Sequence, residues 1–138
     1  MKFEKFNINP KGIKACDCVI RAIAFATEQT WDDVYNDLCQ LGLKMKRIPN
    51  EKKVYEKYLE KIGWTKNKQP RDYMNKKLTV EEFSKQFNRV LKERDSKRII
   101  ITVANHMTAI EWTGYEMQLI DTWDCSHKSV GNYWTKEN

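Results

Sequence analysis

The sequence predicts an α+β fold: helices through the N-terminal two thirds, then an antiparallel sheet. Two observations carry this. Between residues 18 and 93, apolar side chains recur at helical spacing behind capping signals, as in Thr79 with Glu82. After residue 97 the period shortens, and runs rich in β-branched residues such as "RIIITVA" alternate with turn residues. The 138 residues are 41% hydrophobic, with five Trp, six Tyr and five Phe. That suits one domain over 1–138 around one core and excludes a disordered chain.

Residues 1–16 read as irregular, punctuated by Pro10 and Gly12. Residues 18–27, "CVIRAIAFAT", form a helix that only Arg21 and Thr27 keep from being apolar or small all round, so it is buried on most sides. Asp17 is a natural N-cap, which sets Cys18 at the first helical position. A second helix opens at Thr30, with Asp33 completing an approximate capping box. Trp31, Val34, Tyr35, Leu38 and Leu41 face inward, Cys39 lies on the same side, and Gly42 is the expected stop. Asn50 is the expected cap of a helix over 51–62, with Val54, Tyr55, Tyr58, Leu59 and Ile62 inward and Gly63 at its end. Residues 64–78 read as a basic loop with a short strand near Trp64. Helix 80–93 follows, with Val80, Phe83, Phe87, Val90 and Leu91 inward. Strands are expected at 98–104, 106–112, 115–121 and 129–134.

No apolar run nears the roughly 18 residues of a membrane span. The first residues, "MKFEKFNINPKG", are polar and mixed in charge, unlike a secretory signal. The expectation is a cytoplasmic protein without a membrane partner. On that expectation the four cysteines do not form a disulfide framework. The net charge of +6 is local, since residues 44–77 hold twelve Lys and Arg against four acids. This segment is a solvated face, or a contact for an acidic protein or nucleic acid, with Tyr55, Tyr58, Trp64 and Tyr73 interleaved.

If Thr113 and Gly114 form a two-residue hairpin loop, Trp112 pairs with Tyr115 and His106 pairs with Asp121. Opposed side chains lie about 4.5–5.5 Å apart at Cβ, which suits an imidazole–carboxylate hydrogen bond. The same face carries Thr108, Ile110, Trp112, Tyr115, Met117 and Leu119, and is expected to pack on the helices, including the one starting at Cys18. A loop centred on Gly114 and Tyr115 instead sets Asp121 opposite Thr108, with His106 diagonal.

A thiolate is the nucleophilic form of cysteine. A helix N-terminus stabilises the anion, a neighbouring imidazole takes the proton, and a carboxylate behind the imidazole orients it. Cys18, His106 and Asp121 supply these three parts. Taken with their order, "DCVIRAIAFAT", "NHMTAI" and "IDTWD" resemble the papain-like cysteine peptidase superfamily. The likeness is nearest to small bacteriophage proteins of this fold, and more distant to the domains that cut bacteriocin leaders. It implies a central Cys-bearing helix packed on an antiparallel sheet, Cys18 as nucleophile, His106 as general base and acid, and Asp121 as its orienting residue. It also implies a protein or peptide substrate, no cofactor, and the host cytoplasm if the chain is phage-encoded.

Papain-like enzymes commonly carry a glutamine before the cysteine to bind the oxyanion, and "KGIKACD" has none. The Cys18 backbone N–H, Asn105 and the amides of Asn7 and Asn9 are the candidate replacements. Trp112 and Trp123 are candidate cleft residues, and the resemblance suggests Trp123 as a shield for the His–carboxylate bond. Peptide or isopeptide hydrolysis comes first, while deamidation and acyl transfer use the same thioester. Two other readings compete. Cys16-x-Cys18 with Cys125-x-His127 offers four zinc ligands, but one-residue spacing is unusual for zinc, and no metal is expected. A catalytically silent papain-like module would bind an acidic protein or nucleic acid through 44–77.

Overall fold

The computed structural model describes residues 1–136; the last two residues of the expected 1–138 domain lie outside it. Along the chain run β1 (Lys2–Lys5), α1 (Cys18–Thr27), α2 (Trp31–Met45), α3 (Lys52–Lys61), β2 (Trp64–Asn67), α4 (Val80–Glu93), β3 (Arg98–Val103), β4 (His106–Trp112), β5 (Met117–Asp121) and β6 (Tyr133–Lys136). The strands form one sheet in the order β1-β5-β4-β3-β6-β2. The fold is α+β, but the sheet is mixed, not antiparallel throughout: β1 runs parallel to β5, with Lys5 opposite Asp121. Within the expected irregular stretch 1–16, Lys2–Lys5 is therefore an edge strand, while residues 6–16 hold no helix or strand. Its sequence, KFEK, buries little and shows no strand pattern by itself.

Helices cover both faces of the sheet. Residues of α1, α2 and α3 share a core with Ile100, Met107, Ala109 and Trp134. Residues of α4 share a second core with Ile99, Ile101, Val103, Ile110, Met117 and Leu119. Strand side chains alternate between faces, so β3 and β4 feed both cores. The small residues Ala22, Ala24 and Ala26 of α1 are buried and let that helix lie close to its neighbours.

The hairpin takes the loop centred on Gly114 and Tyr115. Trp112 pairs with Met117 and Ala109 with Ile120, so continuing the register sets Asp121 opposite Thr108 and His106 on the diagonal. The two loops differ by two residues in register, which keeps every side chain on its expected face. That face, however, packs on α4 and not on α1: Ile110, Met117 and Leu119 join the α4 core, and Tyr115 is exposed. α1 lies on the opposite face, and Cys18 meets His106 where β4 begins.

The helix starts agree with the capping signals at two points. Thr30 Oγ1 accepts the Asp33 N–H, and Thr79 with Glu82 forms a reciprocal capping box. α3 starts after Glu51, not Asn50, and without a side-chain cap. Val90 and Tyr35 are exposed rather than inward, with Tyr35 stacked on Trp31. The last strand begins at Tyr133, four residues later than expected; before it Gly131 lies against Thr102 and donates its N–H to the Thr102 carbonyl, and the Val130 N–H turns to the Leu78 carbonyl.

Gly42 does not end α2, which continues to Met45. A Cβ on Gly42 would sit 2.8 Å from the Arg47 carbonyl oxygen and 3.2 Å from Pro49 Cα. The chain leaving α2 folds back across this spot, and only a hydrogen fits. Gly42→Ala should therefore destabilise the protein by about 1–3 kcal/mol through overpacking, despite a helix-propensity gain near 1 kcal/mol. A lowered midpoint in urea unfolding checks this; an unchanged or raised midpoint contradicts it.

Candidate active site

Cys18 is the first residue of α1 and is half-buried. Asp17 precedes it but does not cap the helix with its side chain. Its carboxylate is buried and accepts three bonds: Asn9 Nδ2 at 3.0 Å, Arg21 Nε at 2.8 Å and Trp31 Nε1 at 2.9 Å. The first-turn N–H groups of α1 thus keep their positive end toward Cys18.

His106 begins β4 after the turn Ala104-Asn105, where Asn105 adopts φ 56°, a left-handed conformation that asparagine tolerates. Asp121 ends β5. His106 Nε2 lies 2.6 Å from Asp121 Oδ2. An ionised carboxylate only accepts, so the proton sits on Nε2, which leaves Nδ1 as the ring nitrogen not engaged by Asp121.

The charges agree with this arrangement. Burial pushes the Cys18 thiol up, but a hydrogen bond with His106, the Met107 backbone N–H and the charges of His106 and Arg21 outweigh it, holding the pKa below 9.0. Burial pushes His106 down; its bonds with Asp121, Cys125 and Cys18 and the Asp121 charge overcome this and raise it to about 11. Asp121 is also pushed up by burial and brought below its ordinary value mainly by His106. A lowered thiol beside a raised imidazole favours the thiolate–imidazolium pair over the neutral one.

Arg21, on the first turn of α1, links the two halves of the site. Its Nε holds Asp17, its Nη1 donates to Thr122 Oγ1 at 2.9 Å, and Nη1 lies 3.5 Å from Asp121 Oδ1. Asp121 Oδ1 also accepts the Thr122 N–H at 2.6 Å. In the sequence Arg21 stands only as an interruption in an apolar helix. That interruption is the available signal, because a buried guanidinium needs carboxylates. Cys125 carries no such signal: it is fully buried, with Sγ 3.9 Å from Asp121 Oδ2.

The remaining candidates divide. Asn9 is buried and is not among the residues that line the cleft; its Nδ2 donates to Asp17 and its Oδ1 accepts the Lys11 N–H. Asn7 is likewise committed, to the Ile13 carbonyl and the Asn9 N–H. Both staple the loop over residues 7–13. Asn105 lines the cleft beside Cys18 and His106, joined by Asn50, for which the sequence holds no such signal. Trp123 also lines it, its ring centroid 4.8 Å from that of His106. Trp112 does not; it borders a different hollow and carries Lys92 over its ring. The zinc quartet is not what gathers. Among the described residues, the group with metal-ligand chemistry is His106, Asp121 and Cys125, whose ligand atoms lie within 4.8 Å and bond to one another. Cys16 is exposed, and neither it nor His127 belongs to that group. Tyr55, Tyr58 and Trp64 of the basic segment are buried core, and only Tyr73 is open. Among the described residues no helix is long and apolar enough to cross a membrane.

Two measurements test this electrostatic arrangement. Iodoacetamide should alkylate Cys18 well below the pH at which an ordinary thiol reacts, and His106→Ala should move the midpoint upward; uniform slow labelling of all four cysteines contradicts it. Arg21→Gln removes one positive neighbour and the tie to Asp17. The Cys18 midpoint should rise in that variant too, whereas a purely scaffolding Arg21 would lower thermal stability and leave the midpoint in place.

Comparison with protein-family models, curated proteins and solved structures finds no match to this chain.

Proposed function

We propose that the protein is a cysteine-dependent hydrolase of amide bonds, with a protein or peptide as substrate. The observation that carries this is the His106–Asp121 bond of 2.6 Å through Nε2, which leaves Nδ1 available to a thiol of lowered pKa at the head of α1. The Cys18 thiolate attacks the carbonyl carbon and forms a C–S bond. The carbonyl oxygen takes the charge, and the Cys18 N–H, which has no acceptor one turn back, points to it with Asn105 at the rim. The C–N bond breaks, and the amine leaves with the Nδ1 proton. Neutral His106 then takes a proton from water, whose oxygen attacks the thioester; the C–S bond breaks and the ion pair is restored. A different second nucleophile makes the same site a transferase, and a side-chain amide makes it a deamidase.

The finer assignment also belongs to this proposal: a papain-like thiol protease of phage type, working in the host cytoplasm without a cofactor. The residue order, the helix-borne cysteine and the His–Asp strands support it. The competing reading, a silent module binding an acidic partner or nucleic acid through 44–77, loses most of its support with the burial of three of its four aromatics.

With p-nitrophenyl acetate, a probe that asks nothing of specificity, the protein should give a burst of p-nitrophenol and carry one acetyl group on Cys18. Cys18→Ala should show neither. His106→Ala should slow turnover by about 10²–10⁴-fold, the usual worth of a positioned acid–base group. Acetylation spread over lysines, with no burst, supports the binding module instead.

A further inference from the structure

Cys18 opens onto a cleft of about 900 Å³, roomy enough for several side chains of a peptide. Its two walls are irregular segments, the loop after β1 and the chain after β5. Three of the large apolar residues left exposed in this protein border it: Phe6 at 46%, Ile13 at 53% and Trp123 at 40%. They are held in place. The Phe6 N–H donates to the Asp121 carbonyl at 2.8 Å, Asn7 Nδ2 holds the Ile13 carbonyl at 3.1 Å, and Trp123 rests on the His106 ring. An apolar surface that is ordered yet uncovered beside a nucleophile suits a large apolar substrate side chain.

The charges around it have one sign. Lys5 and Lys14 are exposed on the cleft, and among the described residues neither forms an ion pair. Among those residues the only acid lining the cleft is Asp17, which is buried and accepts three hydrogen bonds. An incoming carboxylate therefore meets two ammonium groups, while the anions of the cleft, Asp17 and the Cys18 thiolate of the hydrolase reading, already face Arg21 and His106, and an incoming lysine meets repulsion.

We propose that, on the hydrolase reading above, the cleft selects acidic peptides: a large apolar side chain lies against Phe6, Ile13 and Trp123, and neighbouring Asp or Glu residues face Lys5 and Lys14. Of the basic segment 44–77 only Asn50 lines the cleft, and none of its lysines or arginines does.

Protection of Cys18 from iodoacetamide tests this whichever end of the peptide enters first. Three peptides are compared: leucine between pairs of glutamates, leucine between pairs of lysines, and glycine between pairs of glutamates. At low salt the acidic leucine peptide should half-protect Cys18 at a concentration about tenfold below the other two, a modest size for charge against the lysine peptide and for leucine burial against the glycine peptide. Added salt should narrow the gap to the lysine peptide. In the Lys5→Glu, Lys14→Glu double variant the charge preference should vanish or reverse, and in Ile13→Ser the leucine preference should shrink. Each protection curve is referred to that variant's own unprotected alkylation rate, so a damaged fold does not mimic lost selectivity. Selective alkylation of Cys18 with equal protection by the glutamate and lysine peptides, or by leucine and glycine, overturns the substrate class and leaves the hydrolase standing. Failure of Cys18 to alkylate selectively removes both.

Discussion

The structure turns on the buried carboxylate of Asp121. A charge taken out of water is tolerated only when hydrogen-bonded and paired, and breaking one side of such a pair costs about 3–5 kcal/mol. Asp121 meets that demand by drawing on every part of the chain around it. His106 comes from β4, the Thr122 N–H from the next peptide, Arg21 from α1 and Cys125 from the following loop. Its backbone carbonyl holds Phe6 at the end of β1. The same bonds that make the carboxylate bearable therefore fix the imidazole, dock the N-terminal strand and tie the cysteine helix to the sheet.

This accounts for a geometry that a one-face picture of the sheet misses. α1 and the His106 side of β4 belong to opposite faces. They meet only where β4 begins, because His106 follows directly on a tight turn and Cys18 is the first residue of its helix. Cys18 and His106 are both at element ends, where side chains reach past the layer that carries them. Arg21 closes the gap by bonding Asp17 on its own helix and Thr122 beyond β5. Its charge also lies close enough to lower the Cys18 pKa, so one residue links the two faces and favours the thiolate.

Much of this is legible in local chemistry. Period, caps and β-branched runs locate the four helices and β2–β5. The meeting of His106 with Asp121 holds under either hairpin loop, because both loops preserve strand parity and parity decides the face. What stays hidden depends on contacts between distant segments. KFEK becomes a strand only because β5 offers a free edge. Gly42 reads as a helix stop because a sequence does not show the chain returning over it. Asp17 reads as a cap, yet its carboxylate serves Asn9, Arg21 and Trp31. Asn9 reads as a free amide for the same reason: nothing local says that its nitrogen already has an acceptor.

The division of labour within the site follows from these origins. Cys18, His106 and Asp121 stand at the ends of a helix and two strands, where two cores and a charged network hold them. The cleft walls come from the loop after β1 and the chain after β5, irregular segments outside the helix and strands that carry Cys18, His106 and Asp121. The wall residues are still not loose. Asn7 and Asn9 brace the first loop from within, and Asn9 anchors it to the Asp17 carboxylate that also holds Arg21. A substrate pressing on Ile13 would therefore push on a segment tied to the head of α1. Binding at the wall and placement of the thiolate are mechanically joined through a single buried carboxylate.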